Sequence, residues 1–351
     1  MTEALFLNPV FQDRIWGGTK LHDYFGYDIP SNTTGEDWAI SAHPNGPSVI
    51  KNGEYKGKTL AELWQENPAL FGNPKEAVFP LLTKILDANT DLSVQVHPND
   101  EYAKVHENGE LGKTECWYII DCAPGAELIY GHKAASREEF ATWAKNGEWD
   151  KLLRKVAIKP GEFYYVPSGT IHALGTGTLV LETQQSSDTT YRVYDYDRKD
   201  AEGNLRELHL DKAIDVTTAP HVDAKLDIHT ETRGGLTETT FVSNDFFSVY
   251  KWDVDGKAEF VAKAPYTLVS ILDGEAVLTI DGDEQAIKKG DHFVLPNEVK
   301  SWEITGQITA IVSTPPVKIT NKQKSLYKAI SNNGIYKIAA FLFLWNCRLL
   351  F

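Results

Sequence analysis

The chain has 351 residues, more than one hydrophobic core comfortably serves, so two domains are expected. Its residues are 42% hydrophobic and 24% charged, as in an ordinary globular protein, and its net charge of −14 argues against nucleic acid and anionic membranes as partners. Three cysteines, Cys116, Cys122 and Cys347, form no C-x-x-C pair, which argues against a disulfide framework and for a reducing compartment.

The opening MTEALFLNPVF has neither a basic leader nor an apolar core, so no signal peptide is read there. No stretch reaches the roughly 18 apolar residues of a membrane helix, and a cytoplasmic location is expected. Three segments carry helical patterns: 59–70, 100–107 and 136–149. Thr59 and Ser136 are candidate N-caps, each with a glutamate three residues on, Glu62 and Glu139. Elsewhere β-branched and aromatic residues come in short runs between turn signals: TECWYIID, EFYYVP, TLVLET, KAEFVA, YTLVSIL and EAVLTID. Many short strands predict a mainly β fold, a sandwich or barrel rather than a doubly wound sheet.

One internal repeat organises the chain. Residues 159–172 read KPGEFYYVPSGTIH and residues 288–301 read KKGDHFVLPNEVKS. In both, a proline follows the glycine by six positions, Gly161 to Pro167 and Gly290 to Pro296. Five residues after the proline the first copy has His172 and the second Ser301. The expected division is a metal-binding β domain over 1–230 and a related metal-free one over 231–314. Residues 315–351 hold six basic residues and no acidic one, so the chain ahead of them carries −20. This basic, apolar tail is expected to lie outside the fold.

Side chains at i, i+2 and i+4 of a strand share a face, so SVQVH turns Ser93, Gln95 and His97 one way and its valines the other. A polar face opposed to an apolar one inside a β fold lines a cavity. KTECWY likewise groups Lys113, Glu115 and Trp117, and the turn at Pro167–Gly169 delivers His172. Gln95, His97, Glu115 and His172 offer two imidazole nitrogens, a carboxylate and an amide oxygen, a mixed N/O set that suits one Zn²⁺ per chain with a position left for water or substrate.

Gly161 to His172 matches the second cupin motif, G-x5-P-x-G-x2-H, at every fixed position. The first cupin motif usually offers H-x-H; here Gln95 stands before His97, which departs from the iron and manganese cupins. That pattern resembles the type I mannose-6-phosphate isomerases, and further matches run in the family's order. They are RIWGG (14–18), GEDW (35–38), FPLLTK (79–84), LSVQVHP, KTECWYI, and HALGTGTLVLETQQSSDTTYRVYDYDR ending at Arg198. No extra helical insertion of the long eukaryotic forms is found, so the chain looks like the short bacterial form.

The resemblance implies two cupin-type (jelly-roll) β-barrels with a few helices in the N-terminal part. It implies zinc on Gln95, His97, Glu115 and His172, catalytic roles for Arg192, Lys113 and Glu182, and substrate-binding roles for Trp16, Glu36 and Lys84. The implied reaction interconverts mannose 6-phosphate and fructose 6-phosphate through an enediolate. A hexose 6-phosphate is then the small-molecule partner, and the oligomeric state stays open. Two other readings are another metal-dependent cupin enzyme and a non-catalytic sugar-binding cupin. Gln95 and the cationic set speak against an oxygenase, and Arg192, Lys113 and Glu182 beside the ligands speak against a mere binder.

Overall fold

The computed structural model describes residues 2–200 and 202–316. The expected tail, from residue 317 onward, falls outside the described residues. The fold is mainly β, with three sheets and a few short helices. A six-stranded sheet runs β2 (Phe11–Gly18), β3 (Thr34–Ile40), β4 (Leu81–Ala88), β11 (Thr178–Gln185), β6 (Glu115–Cys122), β9 (Phe163–Val166). A five-stranded sheet runs β12 (Tyr191–Tyr194), β5 (Val94–Val96), β10 (His172–Leu174), β7 (Glu127–His132), β8 (Leu153–Ala157).

The eight-stranded sheet runs β1 (Leu5–Phe6), β18 (His292–Leu295), β16 (Thr267–Ile280), β19 (Ser301–Thr314), β15 (Ser248–Val261), β14 (Leu236–Ser243), β13 (His229–Arg233), with β17 (Asp283–Lys288) on β16. Among the described residues none of the three sheets closes on itself, so each barrel-like unit is open. The N-terminal β1 crosses the expected division at residue 230: Leu5 and Phe6 pair with Val294 and Phe293.

Period-two alternation decides what each sheet buries. On the six-stranded sheet Leu81, Ile85, Cys116, Tyr118, Leu179 and Leu181 face the eight-stranded sheet, meeting Phe241, Val249, Leu268 and Ile311. From the opposite face Leu86, Trp117, Ile119 and Val180 meet Leu128, Tyr130 and Leu174 of the five-stranded sheet. That sheet's outer face, with Val94, Val96, Ala173, Tyr191 and Val193, is covered by α4 (Arg137–Lys145), α5 (Trp149–Leu152) and α6 (Leu210–Val216). The layers are therefore helices, five strands, six strands, then the eight-stranded sheet curled around its own core.

The described residues also form helices α1 (Lys20–Phe25), α2 (Leu60–Glu66) and α3 (Asp100–His106). The α2 helix opens on a full capping box between Thr59 and Glu62. The helix expected over 59–70 stops at Glu66, because Pro68 cannot extend it and starts a 3₁₀ turn, Pro68–Phe71. At α4 the Ser136 cap forms, but Glu139 bonds the backbone of Ala135 instead of closing a box.

The two copies of the repeat share local geometry. Gly161 and Gly290 both adopt left-handed φ, 89° and 87°. Glu162 and Asp291 each accept a backbone N–H three residues back, from Lys159 and Lys288. After the proline turns the copies part: His172 is buried in β10, whereas Ser301 opens β19 exposed.

Where the six- and eight-stranded sheets meet, Trp64 packs against Phe71 and Phe79 at 5.1 Å between ring centroids and against Tyr266 at 6.1 Å. Trp64→Ala should cost about 3–5 kcal/mol in urea unfolding, within one transition for the whole chain. A loss under about 1 kcal/mol would mean that this seam adds little stability.

Candidate active site

Two rows of side chains face each other between the five- and six-stranded sheets. In the first, His172 pairs with Gln95 across β10 and β5, and Gln95 pairs with Arg192 across β5 and β12. In the second, Lys84 pairs with Glu182, and Glu182 with Trp117. Registered partners on neighbouring strands point to the same side, so each row presents its side chains together. The rows meet where the Trp117 and His172 rings lie 5.3 Å apart, edge to face.

His97 follows β5, Glu115 begins β6 and His172 begins β10, and all three are almost fully buried. His97 Nδ1 lies 2.9 Å from the Thr189 carbonyl and His172 Nδ1 lies 2.8 Å from the Thr170 carbonyl. A carbonyl can only accept, so both rings carry their proton on Nδ1 and turn the Nε2 lone pair inward. Those Nε2 atoms stand 3.4 and 3.2 Å from Glu115 Oε2 and Oε1. The His172 Nε2 atom and both Glu115 oxygens are buried without a hydrogen-bond partner.

Lone pairs converging on one point repel unless a cation joins them. Lys113 supplies part of that charge, donating to His97 Nε2 at 3.0 Å and lying 2.8 Å from Glu115 Oε2 outside hydrogen-bond geometry. Among the described residues His97, Glu115 and His172 gather their ligand atoms within 4.8 Å of one another, as a metal ion requires. Gln95 lies beside them on the same face.

Electrostatics agree with this reading. Burial alone would raise the Glu115 carboxyl, but the Lys113 ammonium beside it outweighs that and holds it well below the usual range. Burial, with Lys113 adding, pushes His97 down to about 3, and burial also lowers His172. Both imidazoles are therefore neutral near pH 7, the form that binds metal. Burial would lower Lys113, yet Glu115 and Glu182 raise it.

The ligand cluster adjoins a cavity of about 400 Å³ lined by Trp16, Glu36, Lys84, Gln95, Lys113, Glu182 and Arg192. All ten residues expected at the site are thus brought to one place. Glu36 Oε2 accepts from Trp38 Nε1 at 2.6 Å and from Arg14 at 2.9 Å, with Lys84 at 3.9 Å. Burial opposes its charge, but Lys84 and Arg14 bring its pKa down to about 2. Lys84 also stands 4.5 Å over the Trp38 ring. Glu182 accepts from Trp117 Nε1 at 2.8 Å, and burial, with the Glu115 charge, raises it to about 7. Arg192 donates to Ser93 Oγ at 3.3 Å and to the Glu207 carbonyl at 2.8 Å.

Close backbone approach explains the glycines of RIWGG and GEDW. A Cβ on Gly17 would lie 2.5 Å from Gly35 N, and one on Gly35 would lie 2.8 Å from the Trp16 ring. Only glycine lets β2 and β3 come this near and set Trp16 beside Glu36.

Arg14, Asp188, Thr190 and Arg206 also line the cavity and escaped the sequence reading. Arg14, Asp188 and Thr190 lie inside the RIWGG and QQSSDTTYR stretches, which held the signal. Arg206 had none: it sits in a polar loop and reaches the cavity through Asp195, which takes its Nε at 2.7 Å and also pairs with Arg198. The lining then holds five cations, Arg14, Lys84, Lys113, Arg192 and Arg206, against three acids, Glu36, Glu182 and Asp188. An anionic ligand suits that surplus.

The family model for the type I phosphomannose isomerase catalytic domain matches residues 5–119, and that for the mannose-6-phosphate isomerase cupin domain matches residues 237–315. A mannose-6-phosphate isomerase of Bacillus subtilis is 57% identical over 312 residues, 89% of this chain and 99% of its own length. One from Streptococcus mutans is 56% identical over 317 residues, 89% of this chain and 98% of its own. The crystal structure of mannose 6-phosphate isomerase from Bacillus subtilis superposes with a TM-score of 0.87 at 56% identity, covering 89% of this chain and 99% of that one.

The purified chain should carry one divalent metal ion, measured by plasma mass spectrometry. His97→Ala and His172→Ala should each lose it, and full occupancy in either variant would remove that residue from the ligand set.

Proposed function

The chain is an enzyme of the type I phosphomannose isomerase family, and from that premise we propose that it interconverts mannose 6-phosphate and fructose 6-phosphate. The carrying observation is the set of convergent, unsatisfied lone pairs on Glu115 and His172 at the edge of a cationic cavity. Gln95, His97, Glu115 and His172 are the residues that would hold the metal, and their nitrogen and oxygen atoms without sulfur suit Zn²⁺. Bound there, zinc supplies Lewis-acid stabilisation of the negative charge that develops on the substrate oxygens.

The reaction moves a proton from C2 to C1 and a second one between the two oxygens, by way of an enediolate. A carboxyl poised near neutrality can take the first proton and return it. Glu182 meets that requirement: it titrates near 7 and the Trp117 indole fixes its orientation. The two ligand imidazoles do not, since both are held neutral with their lone pairs turned to Glu115. Lys113, kept charged by Glu115 and Glu182, stands where it can donate to a substrate oxygen.

Among the described residues Arg192 pairs with no carboxylate, so its charge is left for the substrate. Its strand neighbours Gln95, which brings the guanidinium beside the ligand row. Glu36 pairs with both Arg14 and Lys84, so these three can orient sugar hydroxyls while leaving one positive charge over. Arg206, held by Asp195, adds the cationic wall that a phosphate group needs.

Arg192→Ala should lower kcat on mannose 6-phosphate by on the order of a hundredfold or more, with metal content near wild type. Arg192→Lys should recover part of that loss, keeping the charge but not the planar fork. The check is a coupled assay in both directions with metal analysis of each variant. A near-normal kcat/KM for Arg192→Ala would make this residue a bystander, and a wild-type chain inactive on both hexose phosphates would overturn the functional reading.

A further inference from the structure

The β3 strand has a different task on each face. Glu36 turns toward the cavity, and Trp38 donates to it and stacks with Lys84. Asp37, between them, points away, into the seam with the eight-stranded sheet, and is fully buried. Its Oδ1 accepts from Val10 N at 3.3 Å, while its Oδ2 has no hydrogen-bond partner. His292 of β18 stands across the seam with Nε2 at 3.7 Å from that oxygen.

His292 is itself tightly held. Its Nε2 meets the Tyr27 hydroxyl at 2.8 Å, and its Nδ1 meets Ser270 Oγ at 2.9 Å. The Tyr27 hydroxyl donates to the Gly290 carbonyl at 2.8 Å, so toward His292 it accepts. The imidazole therefore carries a proton on Nε2, and its Nδ1 is held by the Ser270 hydroxyl. Burial pushes Asp37 up to about 8 and His292 down to about 3, in keeping with an uncharged contact at pH 7.

Strand β3 needs such support. Its ladder with β2 slips between Gln12 and Asp13, and its ladder with β4 slips between Asp37 and Ile40, just where Trp38 wraps Lys84. A strand with interrupted pairing on both sides is weakly registered by its own hydrogen bonds. Apolar side chains would cover the seam at lower desolvation cost but hold no fixed register. The bond from His292 to the Tyr27 hydroxyl is directional, and Asp37 Oδ2 is packed against the ring that it fixes.

We propose that Asp37 and His292, braced by Tyr27, are positioning residues: they fix the eight-stranded sheet against the back of β3 and so hold Glu36, Arg14 and Lys84 in place for substrate. This rests on the reading of Glu36 and Lys84 as substrate-binding groups. It makes the second β unit part of the site's frame although no residue of that unit lines the cavity.

The test compares His292→Gln with Ile304→Val, a change in the core of the eight-stranded sheet away from the seam. Two readouts are taken on the metal-loaded enzyme: steady-state kinetics, and the ¹⁵N–¹H resonance of the Trp38 indole, assigned with Trp38→Phe. For His292→Gln, KM for mannose 6-phosphate should rise at least about fivefold with kcat within about twofold, and the Trp38 resonance should move. Ile304→Val should lower Tm and change neither readout. An unchanged KM in a folded His292→Gln chain, with or without a moved resonance, overturns the proposal. If His292→Gln does not fold, Tyr27→Phe, which loses one hydroxyl, takes its place: a raised KM with a moved resonance supports the positioning role, and an unchanged KM overturns it. A wild-type chain inactive on mannose 6-phosphate counts against the functional reading alone, and the Trp38 resonance then decides the positioning role.

Discussion

Burying the Glu115 carboxylate would cost several kcal/mol unless positive charge came with it. Lys113 brings one charge, and two imidazoles bring lone pairs that worsen the repulsion unless a metal joins them. Much of the surrounding structure follows from that imbalance. The imidazoles are fixed by backbone carbonyls, and the carboxylate is anchored at the start of a strand in the middle of the fold. Glu182, its neighbour in the buried charge cluster, is raised because burial and the Glu115 charge both disfavour its ionised form. One buried acid thus gathers a cluster that could hold a metal ion and raises a second acid to about 7.

The layers around the site keep these groups where the chemistry needs them. Alternation on β4, β6 and β11 sends one set of side chains into the apolar seam and the other into the cavity. The same strands therefore bear both the hydrophobic load and the reacting groups, and rigid elements hold polar groups more exactly than loops do. The cationic wall at Arg206 depends on a loop, where Asp195 holds Arg206 and Arg198 together.

How much is legible in the sequence follows the same physics. Period-two spacing in SVQVH and KTECWY groups Gln95 with His97 and Lys113 with Glu115, so these candidate ligands and neighbours can be named from the residues. The repeat is visible because its turns demand glycine and an acidic cap at fixed spacing. Other features are hidden. YTLVSIL and EAVLTID read as two strands because Asp273–Gly274 resembles a turn, yet they form one 14-residue β16. Gly274 there is an irregularity within a strand, with left-handed φ and no room for a Cβ against the Gln307 carbonyl oxygen. The periodic pattern after Thr59 runs past the helix itself, because apolar spacing continues through the 3₁₀ turn that Pro68 imposes. Arg206 is not to be found locally, since nothing in its neighbourhood ties a loop arginine to a cavity; only the fold brings it to Asp195. The pairing of β1 with β18 is likewise a long-range fact with no local mark.

The most direct test of the metal centre is anomalous diffraction at the zinc edge from crystals of the enzyme grown without chelator. One strong peak per chain is predicted at bonding distance, about 2.0–2.2 Å, from His97 Nε2, His172 Nε2 and a Glu115 oxygen, with Gln95 beside it. An active enzyme whose crystals lack a peak there, with Glu115 satisfied by Lys113 alone, would contradict a metal centre at this site.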